Sequence, residues 1–512
     1  MSADTTPAVP DHPGGTDRNT ATIDDGPAPA LPIPATKDGS PSSPGFAALA
    51  LLVIVAVLSV GLLVFKAPLP LMMVIGFCVA CVFAAARRVP YRRTEQYSFD
   101  SIRQGLQPVL IFVAVGAMIA AWILSGTVPT MIDLGLRLIA PSVFLSMAVV
   151  LCAITSFING TNFGTVATIG LVLMSVGTAL GIPAGIAAGA ILSGAIFGDK
   201  MSPVSDTTVM AAGLAGVPLI RHIRHMMWTT GPAFLISLVF FAIVGAGYHG
   251  DAAADARIAP TMAAIESAFH IGWIPLIPPL LVVVLLVLRW EAFPALAVGV
   301  LSGAVVAVTY QGEKLTAVLG QLWNGYTAPA DLGDAAGLIG GGETGGALKL
   351  LGLAAIIVFA LATVGALNAA GVTQALLRAL ESRLSTQRRL LPATLVITAV
   401  LNAVGGAVNF AVAMGITTLR PLYAKLGISA KNLSRAAEDS GNTTGPLIPW
   451  NATAVFTAGA LGVSTATYLP WAVFCYVTPL ISLLYALTGF TISWGPGADR
   501  QLTPDTSAVA HR

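Results

Sequence analysis

The chain has 512 residues, 55% hydrophobic and only 10% charged, with a net charge of +2 and a mean hydropathy of +0.82. A soluble domain carries about 25% charged residues, so this composition cannot cover a water-facing surface, and nothing in the net charge calls for a nucleic-acid partner. Unbroken apolar runs of about 17–22 residues match a bilayer core and point to spanning helices rather than a barrel.

Residues 1–44 are rich in Pro, Asp, Thr, Ser and Gly and read as a disordered cytoplasmic tail; they lack the basic-then-apolar order of a signal peptide. Residues 45–108 hold two N-terminal spans, near 46–65 and 69–86. A first unit, 109–247, has apolar segments at 109–125, 142–158, 162–180 and 226–247. Residues 248–349 supply linker spans at 271–288 and 293–310, then a Gly-rich outer loop expected to have little regular structure. That loop carries Asp331, Asp334 and Glu343, and its Gly340–Gly346 run lacks the Lys-Ser/Thr of a phosphate-binding loop. A second unit, 350–490, has segments at 350–370, 392–409, 411–424 and 471–490, and 491–512 form a C-terminal tail. Two more stretches, 184–217 and 431–462, are apolar but interrupted by polar clusters. The total is about 12–14 spans in an all-α polytopic membrane protein. Cys78, Cys81, Cys152 and Cys475 all lie in apolar runs and read as packing residues.

With the N-terminus inside, the inner loops carry sixteen basic residues, including Arg87, Arg88, Arg221, Arg224, Arg388, Arg389 and Arg435. The outer loops carry five: Lys66, Arg137, Arg257, Lys314 and Lys349. This asymmetry places both termini in the cytoplasm of a bacterial cell, with the chain multi-pass in the inner membrane. The two units also resemble each other. A shift of 243 residues lays Asn159 on Asn402 and Pro203 on Pro446, while Ala212–Val217 echoes Ala458–Val463 at a shift of 246. Matching loops differ in charge: 125–142 holds only Arg137, whereas 367–391 holds Arg378, Arg383, Arg388 and Arg389. The units are therefore expected to be inverted-topology repeats with broken or re-entrant helices.

The first polar cluster is Gly198-Asp-Lys-Met-Ser-Pro-Val-Ser-Asp-Thr-Thr208. Each charge costs about 2.5–3.5 kcal/mol at the centre of a membrane helix, and Pro203 forces a break. Freed carbonyls beside Asp199 and Asp206, with Ser202, Ser205, Thr207 and Thr208, make a site for a hard cation such as Na+. A structural pair between Lys200 and an aspartate is the plainer alternative. The second cluster runs Glu438-Asp-Ser-Gly-Asn-Thr-Thr-Gly-Pro-Leu-Ile-Pro-Trp-Asn451, with breaks expected at Pro446 and Pro449. Its helix should start with Ser429 as N-cap and close at Gly441. Arg435 can pair with Glu438 or Asp439 along the helix, leaving the other acid to explain. Asn442, Thr443 and Asn451 are further candidate ligands. Asn159, Asn162, Asn402 and Asn409 sit at span depth, where lining a cavity and helix packing are both open. His222 and His225 are expected at the surface of a basic inner turn.

Residues 198–208 resemble the signature of the NhaC family of sodium/proton antiporters. Leu433-Ser-Arg-x-x-Glu-Asp-Ser-Gly441, Pro446–Asn451 and Trp122-Ile-Leu-Ser-Gly-Thr-Val-Pro129 are similar to that family too, so the resemblance spans roughly residues 46–490. It implies a secondary antiporter, with Asp199, Ser202, Asp206, Thr207, Glu438, Asp439 and Asn451 as ion-site residues. The family also contains exchangers of Na+-lactate for H+-malate. This chain departs from the family pattern at Gly160–Thr165 and at Asn442, where the family commonly has Gly-Ser-Ser-Trp-Thr-Thr and Thr. Both departures bear on selectivity.

The expected mechanism has one carboxylate, Asp199 or Asp206, binding either Na+ (or Li+) or H+ while the repeats rock between two faces. A carrier of small carboxylates or amino acids is the alternative, with Lys200 as the cationic partner. Sequence signatures of a membrane-embedded enzyme are absent. No cofactor is expected beyond the transported Na+ and H+, and the expected partners are lipid and those cations. A homodimer is compatible with this reading.

Overall fold

The structure is a computed structural model that describes residues 42–103, 106–248, 263–328, 343–381, 384 and 386–493. The expected N-terminal tail up to residue 41, the outer-loop centre with Asp331 and Asp334, and the C-terminal tail past residue 493 lie outside the described residues. Prolines start many of the helices, because the missing N–H is one that no helix interior would use. In α1 (Pro44–Leu63) Pro44 is joined by the Ser43 hydroxyl, which accepts from the Phe46 N–H at 3.2 Å. Next come α2 (Leu69–Ala86) and α3 (Tyr91–Arg103), the latter a polar helix laid against the second unit, with Ser98 donating to the Ala362 carbonyl at 3.1 Å.

The first unit comprises α4 (Leu106–Leu124), α5 (Thr127–Leu138), α6 (Pro141–Asn159), α7 (Asn162–Ala179, with a π turn over Val166–Gly170), α8 (Ala184–Met201), α9 (Asp206–Ala215) and α10 (Leu219–Ala246). Linker helices α11 (Ile274–Val287), α12 (Ala292–Thr309) and α13 (Leu315–Asn324) follow. The second unit comprises α14 (Ala347–Ala369), α15 (Val372–Glu381), α16 (Gln387–Gly405), α17 (Val408–Lys425), α18 (Ala430–Thr444), α19 (Ala452–Leu461), α20 (Thr465–Trp471) and α21 (Val473–Thr488). The outer loop is more ordered than expected: it holds α13 and a short antiparallel pairing of Tyr326–Thr327 with Glu343–Thr344.

Left-handed glycines fix the correspondence between the units, because only glycine enters that region without steric cost. Gly160 (φ 69°) matches Gly406 (φ 60°), Gly181 (φ 76°) matches Gly427 (φ 66°), and Gly216 (φ 71°) matches Gly462 (φ 68°). All three pairs lie 246 residues apart, so the 243-residue register is corrected. Pro203 corresponds to Pro449, not Pro446, and Asn159 corresponds to Gly405, not Asn402. The units exchange their broken helices reciprocally: α9 packs on α17, and α19 packs on α7. Phe456 of α19 stands edge-on to Phe163 of α7 (centroids 4.8 Å) and Phe112 of α4 (5.2 Å). Such an exchange buries the short helices that neither unit could cover alone, as expected for inverted repeats.

Among the described residues seven helices are long and apolar enough to cross a membrane, or nine if each bent pair is one span; α4 and α5 meet at 71°, and α19 and α20 at 89°. The sequence count of about 12–14 is higher because it also includes α8–α9, α11, α16, α17, α18 and α21, which are polar, short or interrupted.

The tightest packing in the first unit sets α8 on α6 through small residues. A Cβ at Gly194 would overlap the Val149 carbonyl oxygen, whereas one at Gly213 would meet nothing within 4 Å. Gly194→Ala should therefore cost about 1–3 kcal/mol by forcing the helices apart. Gly213→Ala should leave stability unchanged or slightly raised, as measured by the melting temperature of the detergent-purified protein.

Candidate ion-binding site

The α8–α9 break and helix α18 meet at the junction of the two units. Asp199 and Lys200 end α8, and Ser202 turns the chain by donating to the Phe157 carbonyl at 2.7 Å while accepting from the Val204 N–H at 3.3 Å. Ser205 caps α9, the role that Asn451 takes for α19. Helix α18 is polar along its length, yet every residue from Asn432 to Thr443 is buried. Ser429 is its N-cap position, as expected. Gly441 does not close it: the helix runs on to Thr444, and a Cβ at Gly441 would lie 2.5 Å from Val412.

Three carboxylates and two cations are sealed here. Asp199 faces only neutral donors: the Asn162 amide at 2.5 Å on Oδ2 and the Ser205 hydroxyl at 2.7 Å on Oδ1. Lys200 Nζ lies 2.8 Å from Asp439 Oδ1 and 4.0 Å from Glu438 Oε2, and Arg435 Nε lies 4.0 Å from Asp439 Oδ2. A polar chain crosses the junction from Asp199. Ser205 and Thr207 share a hydrogen bond at 3.0 Å, and the Asn442 amide donates at 3.5 Å to both Thr207 and Glu438. Thr208 sits beside them, donating to the Lys200 carbonyl at 3.2 Å. Glu438 Oε1 and Asn442 Oδ1 are buried with no hydrogen-bond partner. Buried unpaired acceptors are costly and suit a hard cation that takes oxygen ligands.

The other expected residues make the following contacts. Asp206 is exposed at the start of α9, where its own carboxylate accepts from the Thr207 N–H at 2.9 Å and from Asn409 at 3.3 Å. Asn159 ties down the turn after α6 through Thr161 and Thr165. Asn402 donates to the Gly441 carbonyl at 2.6 Å and to Thr444 at 3.0 Å, and accepts from Asn451 at 2.8 Å. Thr443 donates to the Asp439 carbonyl, and the Pro446 carbonyl accepts from Tyr468 at 2.8 Å. Among the described residues no three His, Cys, Asp or Glu side chains gather as a metal centre.

Sequence reasoning missed α10. Thr229 donates to Asp439 Oδ1 at 3.0 Å, and Lys200 Nζ is 3.3 Å from the Met226 sulfur. His222 and His225 are buried, not at the surface: they bond Ser434 at 2.9 Å and Asn432 at 3.2 Å. Arg435, counted with the inner loops, is 1% exposed. The signal was present as polar residues at 222, 225 and 229, one face of an otherwise apolar helix.

The Na+/H+ antiporter family model matches residues 40–224 and 194–490. The chain belongs to the Na+/H+ antiporter family. The Na+/H+ antiporter NhaC of Alkalihalophilus pseudofirmus is 36% identical over 449 residues, covering 88% of this chain and 96% of the relative. The NhaC protein of Bacillus subtilis is 37% identical, covering 77% and 87%. The malate-2H+/Na+-lactate antiporter of B. subtilis is 33% identical, covering 82% and 90%. This family member is thus a multi-pass membrane protein whose relatives are antiporters rather than enzymes.

Asn402→Ala in this antiporter-family protein would strip partners from Asn451 and the Gly441 carbonyl. A loss of about 1–3 kcal/mol is expected from the buried groups left unpaired, seen as a lowered melting temperature in detergent.

Proposed function

We propose that the protein exchanges Na+, and also Li+, for H+ across the bacterial inner membrane by alternating access, with both termini cytoplasmic. The observation that carries this reading is a charge imbalance. Glu438 and Asp439 face Lys200 and Arg435, and Asp199, buried close by, faces only neutral donors, so one formal negative charge of the three is uncompensated. An uncompensated charge in a water-poor site is expensive, and one monovalent cation removes the imbalance. Either Na+ or H+ can do so, and binding both would leave an excess positive charge; this makes the two ions compete.

Asp199 is the carboxylate without a cation beside it and is assigned as the competing group. Ser205, Thr207, Asn442 and Glu438 offer further oxygens to Na+ along the chain that crosses the junction. Because these ligands come from both repeats, relative movement of the repeats alters the site as it changes face. Asp206, exposed and bound to Asn409, stands at the approach to the site rather than inside it.

The second reading, a carrier of small carboxylates, draws on the malate/lactate relative. A carboxylate substrate would need a cation to receive it, and Lys200 is already held at 2.8 Å by Asp439. The cation-exchange reading is therefore preferred.

Proteoliposomes with an internal pH dye, given Na+, Li+, K+, malate and lactate in turn, test both readings. Na+ and Li+ should move protons and the organic anions should not. Asp199→Asn should abolish exchange with the protein still in the membrane, Asp206→Asn should slow it, and raising the pH should lower the KM for Na+. Normal exchange by Asp199→Asn would sink the assignment.

A further inference from the structure

Asp439 is hydrogen-bonded on one oxygen only. Lys200 and Thr229 both approach Oδ1, at 2.8 and 3.0 Å, while Oδ2 has no hydrogen-bond partner. Facing Oδ2 at 4.0 Å is Arg435 Nε, also without a partner. Both side chains are sealed from bulk solvent, at 0% and 1% exposure. A buried donor and a buried acceptor that are left open so close together mark a contact that a second arrangement completes.

The C-terminal end of the described chain holds Arg435 on its far side. Arg435 donates from its terminal NH1 group to the Thr491 hydroxyl at 2.9 Å. Thr491 has φ +60°, a conformation β-branched residues avoid. Its neighbourhood is pinned: Asn432 donates to the Ser493 carbonyl at 2.9 Å and accepts from the Ser493 N–H at 3.3 Å, and Phe490 stacks edge-on to Trp228 and Tyr485. The segment thus docks on α18 and holds the terminal end of the guanidinium.

We propose that Arg435 is a positioning residue, the reserve partner of Asp439, held back by Thr491 and closing on Asp439 whenever Lys200 swings to Glu438. Lys200 lies 4.0 Å from Glu438, so the swing is short. A cation lodged near Glu438 repels Lys200 onto Asp439. When that cation leaves, Lys200 moves to Glu438, and Arg435 keeps Asp439 from becoming an unpaired buried charge. The movement of Lys200 deepens the antiport reading and rests on it for its purpose, but the exchange of partners can be tested without transport.

The test is a double-mutant cycle on the melting temperature of the full-length protein in detergent. Lys200→Met and Arg435→Gln should each fold with a lowered melting temperature, because each leaves Asp439 one cation. Together they should lower the melting temperature by about 3 °C or more beyond the sum of the single changes, and the excess should vanish in an Asp439→Asn background. A double variant that fails to fold while both singles fold supports the proposal equally. Additive changes, or a Lys200→Met variant that does not fold, overturn it. The transport arm uses proteoliposomes. Thr491→Val frees Arg435 to close on Asp439 and pushes Lys200 onto Glu438, raising the KM for Na+ by about fivefold. Thr491→Ser should restore it, and Arg435→Gln should lower it. KM shifts in the same direction for Thr491→Val and Arg435→Gln contradict the proposal. A wild-type protein that exchanges no cation for H+ would remove the antiport reading while leaving the melting cycle to decide the pairing.

Discussion

Everything about this protein turns on one constraint: carboxylates placed where water cannot reach must find their compensation inside the fold. Helix α18 states the problem most sharply, since it is polar from end to end and buried throughout Asn432–Thr443. In a bilayer such a helix is unstable alone. It persists because α8 supplies Lys200, α10 supplies Thr229 and the histidines, and α16 supplies Asn402. The compensation is one formal charge short.

The repeat architecture makes this burial achievable. Neither unit can cover its own broken helix, so each lays it on the other. The left-handed glycines recur at the same points in both units because each reverses the chain in one residue. Small residues in α8 let it approach α6 closely enough for Ser156 to donate to the Ala195 carbonyl at 2.7 Å. The symmetry stops at the chemistry. At the 246-residue register Asp199 falls on Gly445, and Glu438 and Asp439 fall on Leu192 and Ser193. One buried polar cluster with side chains from both units is thereby built in place of two equivalent ones.

Much of this could be read along the chain. Apolar run lengths determined that the protein spans a membrane, because a bilayer sets helix length. Prolines and polar clusters at 198–208 and 438–451 located the breaks, because a charge or a missing donor is too costly to keep in an unbroken apolar helix. Local signals did less well where a polar residue is diluted in an apolar helix, as at His222, His225 and Thr229. They also failed where a helix passes a glycine, as α18 passes Gly441, because packing against Val412 and not backbone freedom accounts for that residue.

Only the tertiary structure decided which charges meet. Spacing along α18 allowed Arg435 to reach either Glu438 or Asp439; it lies 4.0 Å from Asp439, which also takes Lys200 from another helix, while its other end donates to Thr491. It likewise separated Asp206, exposed beside Asn409, from Asp199, sealed beneath it, although a single short motif carries both. Sequence records the presence of buried charge, since composition and periodicity are properties of one strand of chain. Its partners depend on how separate helices are turned toward each other, and that is settled only when the two units close on one another.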